Sequence, residues 1–142
     1  MTKTTSTLAL FAIALMLPAM ASAGKSKLVT PKEGTYLYAL VQGLTTIKDG
    51  KFDEWIDKFC HPDDLCYTEN AKKSLLKYNL PAIKRIAGQC LKDAPKMKVT
   101  RTDGDAAKGD TEIKVFVECD PKGMPRPFRL KLHGKDWKFK SI

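Results

Sequence analysis

The sequence predicts an α+β protein, with helices in its first half and an antiparallel sheet in its second half. Apolar residues recur at helical spacing as far as Leu91, and after Lys96 they alternate with polar residues as in strands. Helices followed by a strand meander favour helices packed on one face of a curved sheet. With 142 residues, 43% of them apolar, the chain can bury one core, which excludes collagen-like and disordered classes.

Residues 1–23 have the pattern of a secretory signal peptide. Lys3 supplies a basic start, an unbroken apolar stretch runs from Leu8 to Leu17, and Ala21-Ser22-Ala23 is a cleavage signature. The apolar stretch is too short to cross a bilayer as a helix. We therefore expect cleavage after Ala23, a periplasmic or secreted protein without a membrane span, and a single domain over residues 24–142.

The first half of this domain predicts four helical segments. The capping-box pattern Thr30-Pro31-Lys32-Glu33 predicts the start of the first helix, which Asp49-Gly50 ends. Apolar residues at helical spacing then predict a short helix that stops before Pro62, a polar helical turn or two, and a longer helix that ends before Pro95. These later segments cover residues 52–59, 69–78 and 80–94.

The second half predicts four antiparallel strands from the alternation of apolar and polar residues. They begin at Met97, Ile113, Phe128 and Trp137 and are separated by turns rich in glycine, proline and aspartate. In the last two strands, the side chains expected on the core side are those of Phe128, Leu130, Leu132, Trp137 and Phe139.

Four cysteines in an exported chain predict two disulfides. Three pairings are possible, and we favour Cys60 with Cys66, which closes a short loop, and Cys90 with Cys119, which ties a helix to a strand. A zinc site is the alternative use of these residues. No C-x-x-C or H-x-x-x-H spacing is present, and His61 and His133 are far apart in the sequence, so we expect neither a metal nor another cofactor.

Positive charge is concentrated at the end of the chain. The net charge is +9, and residues 121–142 carry seven basic residues against one acidic residue. Strand alternation places Arg129, Lys131, Lys138 and Lys140 on the face away from the core, where they would suit an acidic glycan or a lipid head group. A simply solvated face is the alternative. We do not expect a nucleic-acid partner, because Phe116 is the one clear outward aromatic side chain in the predicted strands.

One acidic cluster could carry acid–base chemistry. Asp53, Glu54 and Asp57 lie on the second helix, shortly before His61 and Asp63-Asp64, and a carboxylate beside an imidazole can transfer protons. The same three carboxylates also form the polar face of an amphipathic helix, which is the interpretation we favour. The sequence has no phosphate-binding glycine loop, no G-x-S-x-G turn and no H-E-x-x-H. We therefore assign no catalytic residue.

The order of these elements resembles the small exported members of the NTF2-like superfamily. The resemblance rests on the first helix, the stretch from Leu40 to Phe52, and the terminal hairpin Gly134-Lys135-Asp136-Trp137-Lys138-Phe139. It implies a bent sheet wrapped around a helix as a cone. Because that superfamily includes both enzymes and binding proteins, we expect a non-catalytic domain that binds an anionic partner or a small apolar ligand. The alternative is an isomerase or dehydratase using a buried acid in the cone.

Overall fold

The computed structural model describes residues 25–142, and the predicted signal peptide with its cleavage site lies outside them. Within the described part, helices and a sheet follow the predicted order, with one additional strand at the start. The helices are α1 (Tyr36–Lys48), α2 (Phe52–Phe59), α3 (Glu69–Ser74) and α4 (Leu80–Cys90), and the strands are β1 (Lys27–Val29), β2 (Met97–Asp103), β3 (Glu112–Val117), β4 (Arg126–His133) and β5 (Asp136–Ser141).

The five strands form one open antiparallel sheet in the order β1-β2-β3-β4-β5. All four predicted strands are confirmed. The strand β1 was not predicted, because three residues are too few to show an alternation, and it is placed by its pairing with the first residues of β2. The result is the predicted α+β class; the cone shape of the NTF2-like superfamily stays a prediction.

The first helix begins later than the capping box predicts. Thr35 is the N-cap, and its Oγ1 accepts a hydrogen bond from Tyr38 N at 3.3 Å. Gly34, at a φ of 82°, has a left-handed conformation that turns the chain between Thr30 and the helix. The predicted start of the first helix at Thr30 is therefore wrong. Thr35 lacks the glutamate of a capping box, but its hydroxyl caps the helix directly after the left-handed glycine.

The helices α3 and α4 are two parts of one continuous helical run, whereas the sequence predicts two separate segments. A wider π-helical turn, Leu75–Asn79, joins them, and Leu80 N donates to Leu75 O across it. Pro81 has no N–H to donate, which would normally interrupt a helix. The π turn directly before Pro81 accommodates the proline without ending the run.

The core lies between the helices and one face of the sheet. Its largest fully buried side chains are Trp55, Phe128 and Phe139, and the rings of Trp55 and Phe139 lie 5.2 Å apart. Burying each such side chain contributes roughly 1.5–3 kcal/mol. Of the residues predicted to face the core, Leu132 and Trp137 are only half-buried, because they lie next to the turn of the β4–β5 hairpin, at the edge of the core.

Both predicted cysteine pairs lie at disulfide distance in the structure. Cys60 and Cys66 have Cα atoms 5.9 Å apart and close the loop after α2. Cys90 and Cys119, with Cα atoms 4.0 Å apart, link the end of α4 to the chain just after β3. Over residues 25–142, no helix combines the length and the apolar character needed to cross a membrane.

Candidate functional site

The loop closed by Cys60 and Cys66 extends the sheet beyond β5. Cys60 forms a parallel bridge with Phe139, and His61 N donates to Phe139 O at 2.9 Å. The carbonyl of His61 then accepts hydrogen bonds from Leu65 N and Cys66 N, both at 3.1 Å. These backbone bonds fix the position of His61 against the end of the last two strands.

His61 is the one buried polar or charged residue in the described part of the chain, with 2% of its surface exposed. Its ring lies edge-on to that of His133, with centroids 5.3 Å apart. Its Nδ1 lies 2.9 Å from Asp64 Oδ2 and accepts a hydrogen bond from Asp63 N at 3.2 Å. Nδ1 must carry a proton to donate to Asp64 Oδ2, but it must lack one to accept from Asp63 N. The contact with Asp64 is shorter and involves a charged oxygen, so it favours the proton on Nδ1.

Asp64 connects this histidine to β4. Its Oδ2 accepts a hydrogen bond from Lys131 Nζ at 3.0 Å, and this bond lowers the pKa of Asp64 below its ordinary value. Burial lowers the pKa of His61, although the charge of Asp64 opposes that effect. At neutral pH the pair is therefore a carboxylate hydrogen-bonded to a neutral imidazole.

The structure brings together two histidines that the sequence separates. One ligand atom each from His61, Asp63 and His133 lies within 4.8 Å of the others. The sequence-based exclusion of a metal rested partly on the distance between His61 and His133 along the chain, and that argument is wrong. Metal-ligand spacing motifs describe ligands on one element, whereas here β4 returns the second histidine to the loop of the first.

The predicted basic residues lie on the face of the sheet away from the helices. We define the outer sheet face by the outward side chains of β3, β4 and β5, namely Lys114, Phe116, Arg129, Lys131, Lys138 and Lys140. Two of the predicted cations are neutralised there: Lys131 by Asp64, and Lys140 by Glu112, with Nζ and Oε2 2.8 Å apart. The prediction did not anticipate either ion pair.

The strand register places like charges directly opposite one another on the outer sheet face. Lys114 lies across from Arg129, and Lys131 lies across from Lys138. Lys114 was missing from the predicted patch, because the sequence analysis considered only the last two strands. Its ammonium and the guanidinium of Arg101 lie 4.8 Å and 4.0 Å from the ring centre of Phe116, so the outward aromatic is covered by cations.

The acidic cluster on α2 does not approach an imidazole. Asp53 and Asp57 are exposed, and Glu54 forms an ion pair with Lys58 at 2.8 Å. Hydrogen bonding to that lysine lowers the pKa of Glu54. These three carboxylates therefore lie on the solvated face of α2, as the amphipathic pattern predicts.

A surface cleft of about 410 Å³ lies between the start of α1 and the turn before β5. Thr35, Tyr38, Gln42, Lys58 and Trp137 contribute to its walls. The groups that line it do not include His61 or a buried carboxylate, so the cleft is separate from the histidine cluster.

Comparisons with protein-family models, with curated proteins and with solved structures found no match to this chain.

Proposed function

We propose that this chain is an exported, non-catalytic binding domain that contacts an anionic partner through its outer sheet face. The observation that carries the proposal is the pair of directly opposed cations Lys114 and Arg129, with Lys138 on the next strand across from the already paired Lys131. Like charges directly opposite on neighbouring strands destabilise a sheet, so the arrangement has a cost that an anionic partner would offset.

The free charges on this face are concentrated enough to bind. Within residues 25–142, Lys114, Arg129 and Lys138 have no carboxylate within ion-pair distance. Their positive charge is therefore available to phosphate or carboxylate groups presented on a surface. A lipid head group and an acidic polysaccharide share that chemistry.

The buried groups favour binding over catalysis. The alternative enzyme needs a titratable acid inside the cone, yet no carboxylate in the described part of the chain is buried. Leu40, Leu44, Trp55 and Phe139 are fully buried and belong to the apolar core. The two cysteine pairs at disulfide distance agree with export into an oxidising compartment.

The test reverses the charges of the three cations that lack an ion pair in the described part of the chain and measures binding to two anionic probes. The triple variant Lys114→Glu, Arg129→Glu and Lys138→Glu is measured for cosedimentation with vesicles containing phosphatidylglycerol and for binding to alginate. The matched control reverses two lysines and one arginine that are exposed on the helical side. The control substitutions are Lys73→Glu, Arg85→Glu and Lys92→Glu, which give the same change in net charge.

We expect wild type to bind one of the two probes at low salt and to lose binding as salt rises. Each basic residue near an anionic surface contributes about 1 kcal/mol, so removing three should weaken binding by about 100-fold. The control variant should lose much less. Equal losses in the two variants, or no binding of wild type to either probe at low salt, would contradict the proposal.

A further inference from the structure

A second site, which adjoins the outer sheet face but uses none of its residues as ligands, is indicated where the loop after α2 meets the end of β4. Three side chains with metal-ligand chemistry converge there: His61, Asp63 and His133. They come from the loop and from β4. The backbone bond from His61 N to Phe139 O holds the loop against β5, the neighbour of β4, and the cysteine pair closes the loop. We propose that these three residues bind one divalent transition-metal ion.

The ligand set selects the class of metal. Two imidazole nitrogens and one carboxylate oxygen suit zinc and its neighbours in the first transition row. Magnesium and calcium prefer sites made of oxygen ligands alone. A site with three protein ligands also leaves a coordination position for water or for a group on a partner.

The distances allow the site to close on an ion. Bonds of zinc to nitrogen and oxygen are about 2.0–2.1 Å, so neighbouring ligand atoms in a tetrahedral site are about 3.4 Å apart. The three ligand atoms here lie within 4.8 Å of one another, so the widest pair must approach by about 1.4 Å. Asp63 and His133 are exposed, and rotation about their side-chain bonds can supply this movement. The buried His61 is the fixed ligand.

The surroundings of His61 match those of a metal-binding histidine. Such histidines commonly donate the second ring N–H to a carboxylate, which fixes the ring and the tautomer. Asp64 Oδ2 lies 2.9 Å from Nδ1 of His61, and Lys131 holds Asp64 from the other side. With the proton on Nδ1, the lone pair of Nε2 is free for an ion. Asp64 is a positioning residue in this arrangement.

The experiment titrates ZnCl₂ into tag-free protein with both disulfides formed, after dialysis against EDTA, and follows the heat of binding. We expect one zinc ion per chain, with at least tenfold weaker affinity in Asp63→Asn and in His133→Ala. Both residues are exposed, so these changes spare the core. Asp57→Asn, the same change at an exposed position on α2, is the matched control and should bind like wild type. MgCl₂ and CaCl₂ should not bind.

A second measurement uses wild type alone. The chain has two histidines, so its ¹⁵N spectra contain two imidazole ring systems, and zinc should shift the nitrogens of both. Failure of zinc to bind at 100 µM would overturn the proposal. A shift of one ring only, or unchanged affinity in either variant, would overturn the three-ligand site. Either result would leave the proposal for the outer sheet face untouched.

Discussion

Gly43 lies where α1 packs directly against the side chain of Phe139 on β5. A Cβ atom at this position would lie 2.9 Å from Phe139 Cζ, closer still to Phe139 Cε2, and 3.3 Å from Trp55 Nε1. The Phe139 ring cannot move aside freely, because it packs between Trp55 and Phe128. We therefore expect Gly43→Ala to destabilise the fold, although alanine is the better helix former.

The size of this effect follows from two opposing contributions. Replacing glycine by alanine inside a helix gains about 1 kcal/mol, and forcing an extra methyl group into a packed core costs about 1–3 kcal/mol. The expected net loss for Gly43→Ala is up to about 2 kcal/mol of the free energy of unfolding. Gly88 on α4 provides the matched control, because nothing lies within 4 Å of its added Cβ. Gly88→Ala should stabilise by about 0.5–1 kcal/mol.

The assay is chemical denaturation of the oxidised protein in the presence of EDTA, followed by circular dichroism at 222 nm. The midpoints of the two variants should move in opposite directions from that of wild type, with unchanged slopes. If Gly43→Ala were as stable as Gly88→Ala, the close packing of α1 against Phe139 would be refuted.

Two further predictions concern ionisable groups. Asp53→Asn and Asp57→Asn should each change the free energy of unfolding by no more than about 0.5 kcal/mol, since both carboxylates are exposed; a larger loss in denaturation experiments would place them in a site. The pKa values of His61 and Asp64 are both lowered in the folded state. As pH falls, the unfolded chain therefore binds more protons than the folded chain, and the fold loses stability. The free energy of unfolding, measured in the presence of EDTA, should therefore decline below about pH 6.5 as His61 is protonated, and again below about pH 4 as Asp64 is protonated. A constant free energy of unfolding from about pH 7.5 to pH 5 would contradict the burial of His61.

Much of the fold is predictable because each element has a local signal. The alternation of Ile113, Val115 and Val117 fixes both the existence of β3 and its buried face, and all three side chains are fully buried. The start of α1 is a different case, since Thr30 has the stronger capping pattern, yet the helix begins after Gly34 with Thr35 as its cap. Local patterns can propose such a boundary but cannot choose it.

The histidine cluster shows the other limit of sequence-based prediction. Strand alternation correctly places Lys131 and His133 on the outward face of β4, and the cysteine pattern correctly closes the loop that contains His61. Their meeting depends on the loop adding itself beside β5, through a single parallel bridge between Cys60 and Phe139. A one-residue bridge has no periodicity in the sequence, so the cluster could not be predicted.

The bridge between Cys60 and Phe139 also covers part of a sheet edge that could otherwise pair with another copy of the chain. An open sheet offers unpaired backbone groups at its two outer strands, which can recruit foreign strands. Here one outer strand, β1, is three residues long, and at the other Phe139 O already accepts the amide of His61. Reduction of the cysteine pair at residues 60 and 66 would free the loop and uncover the β5 backbone. Thiol reductants should therefore increase fibril formation or other self-association relative to the oxidised protein.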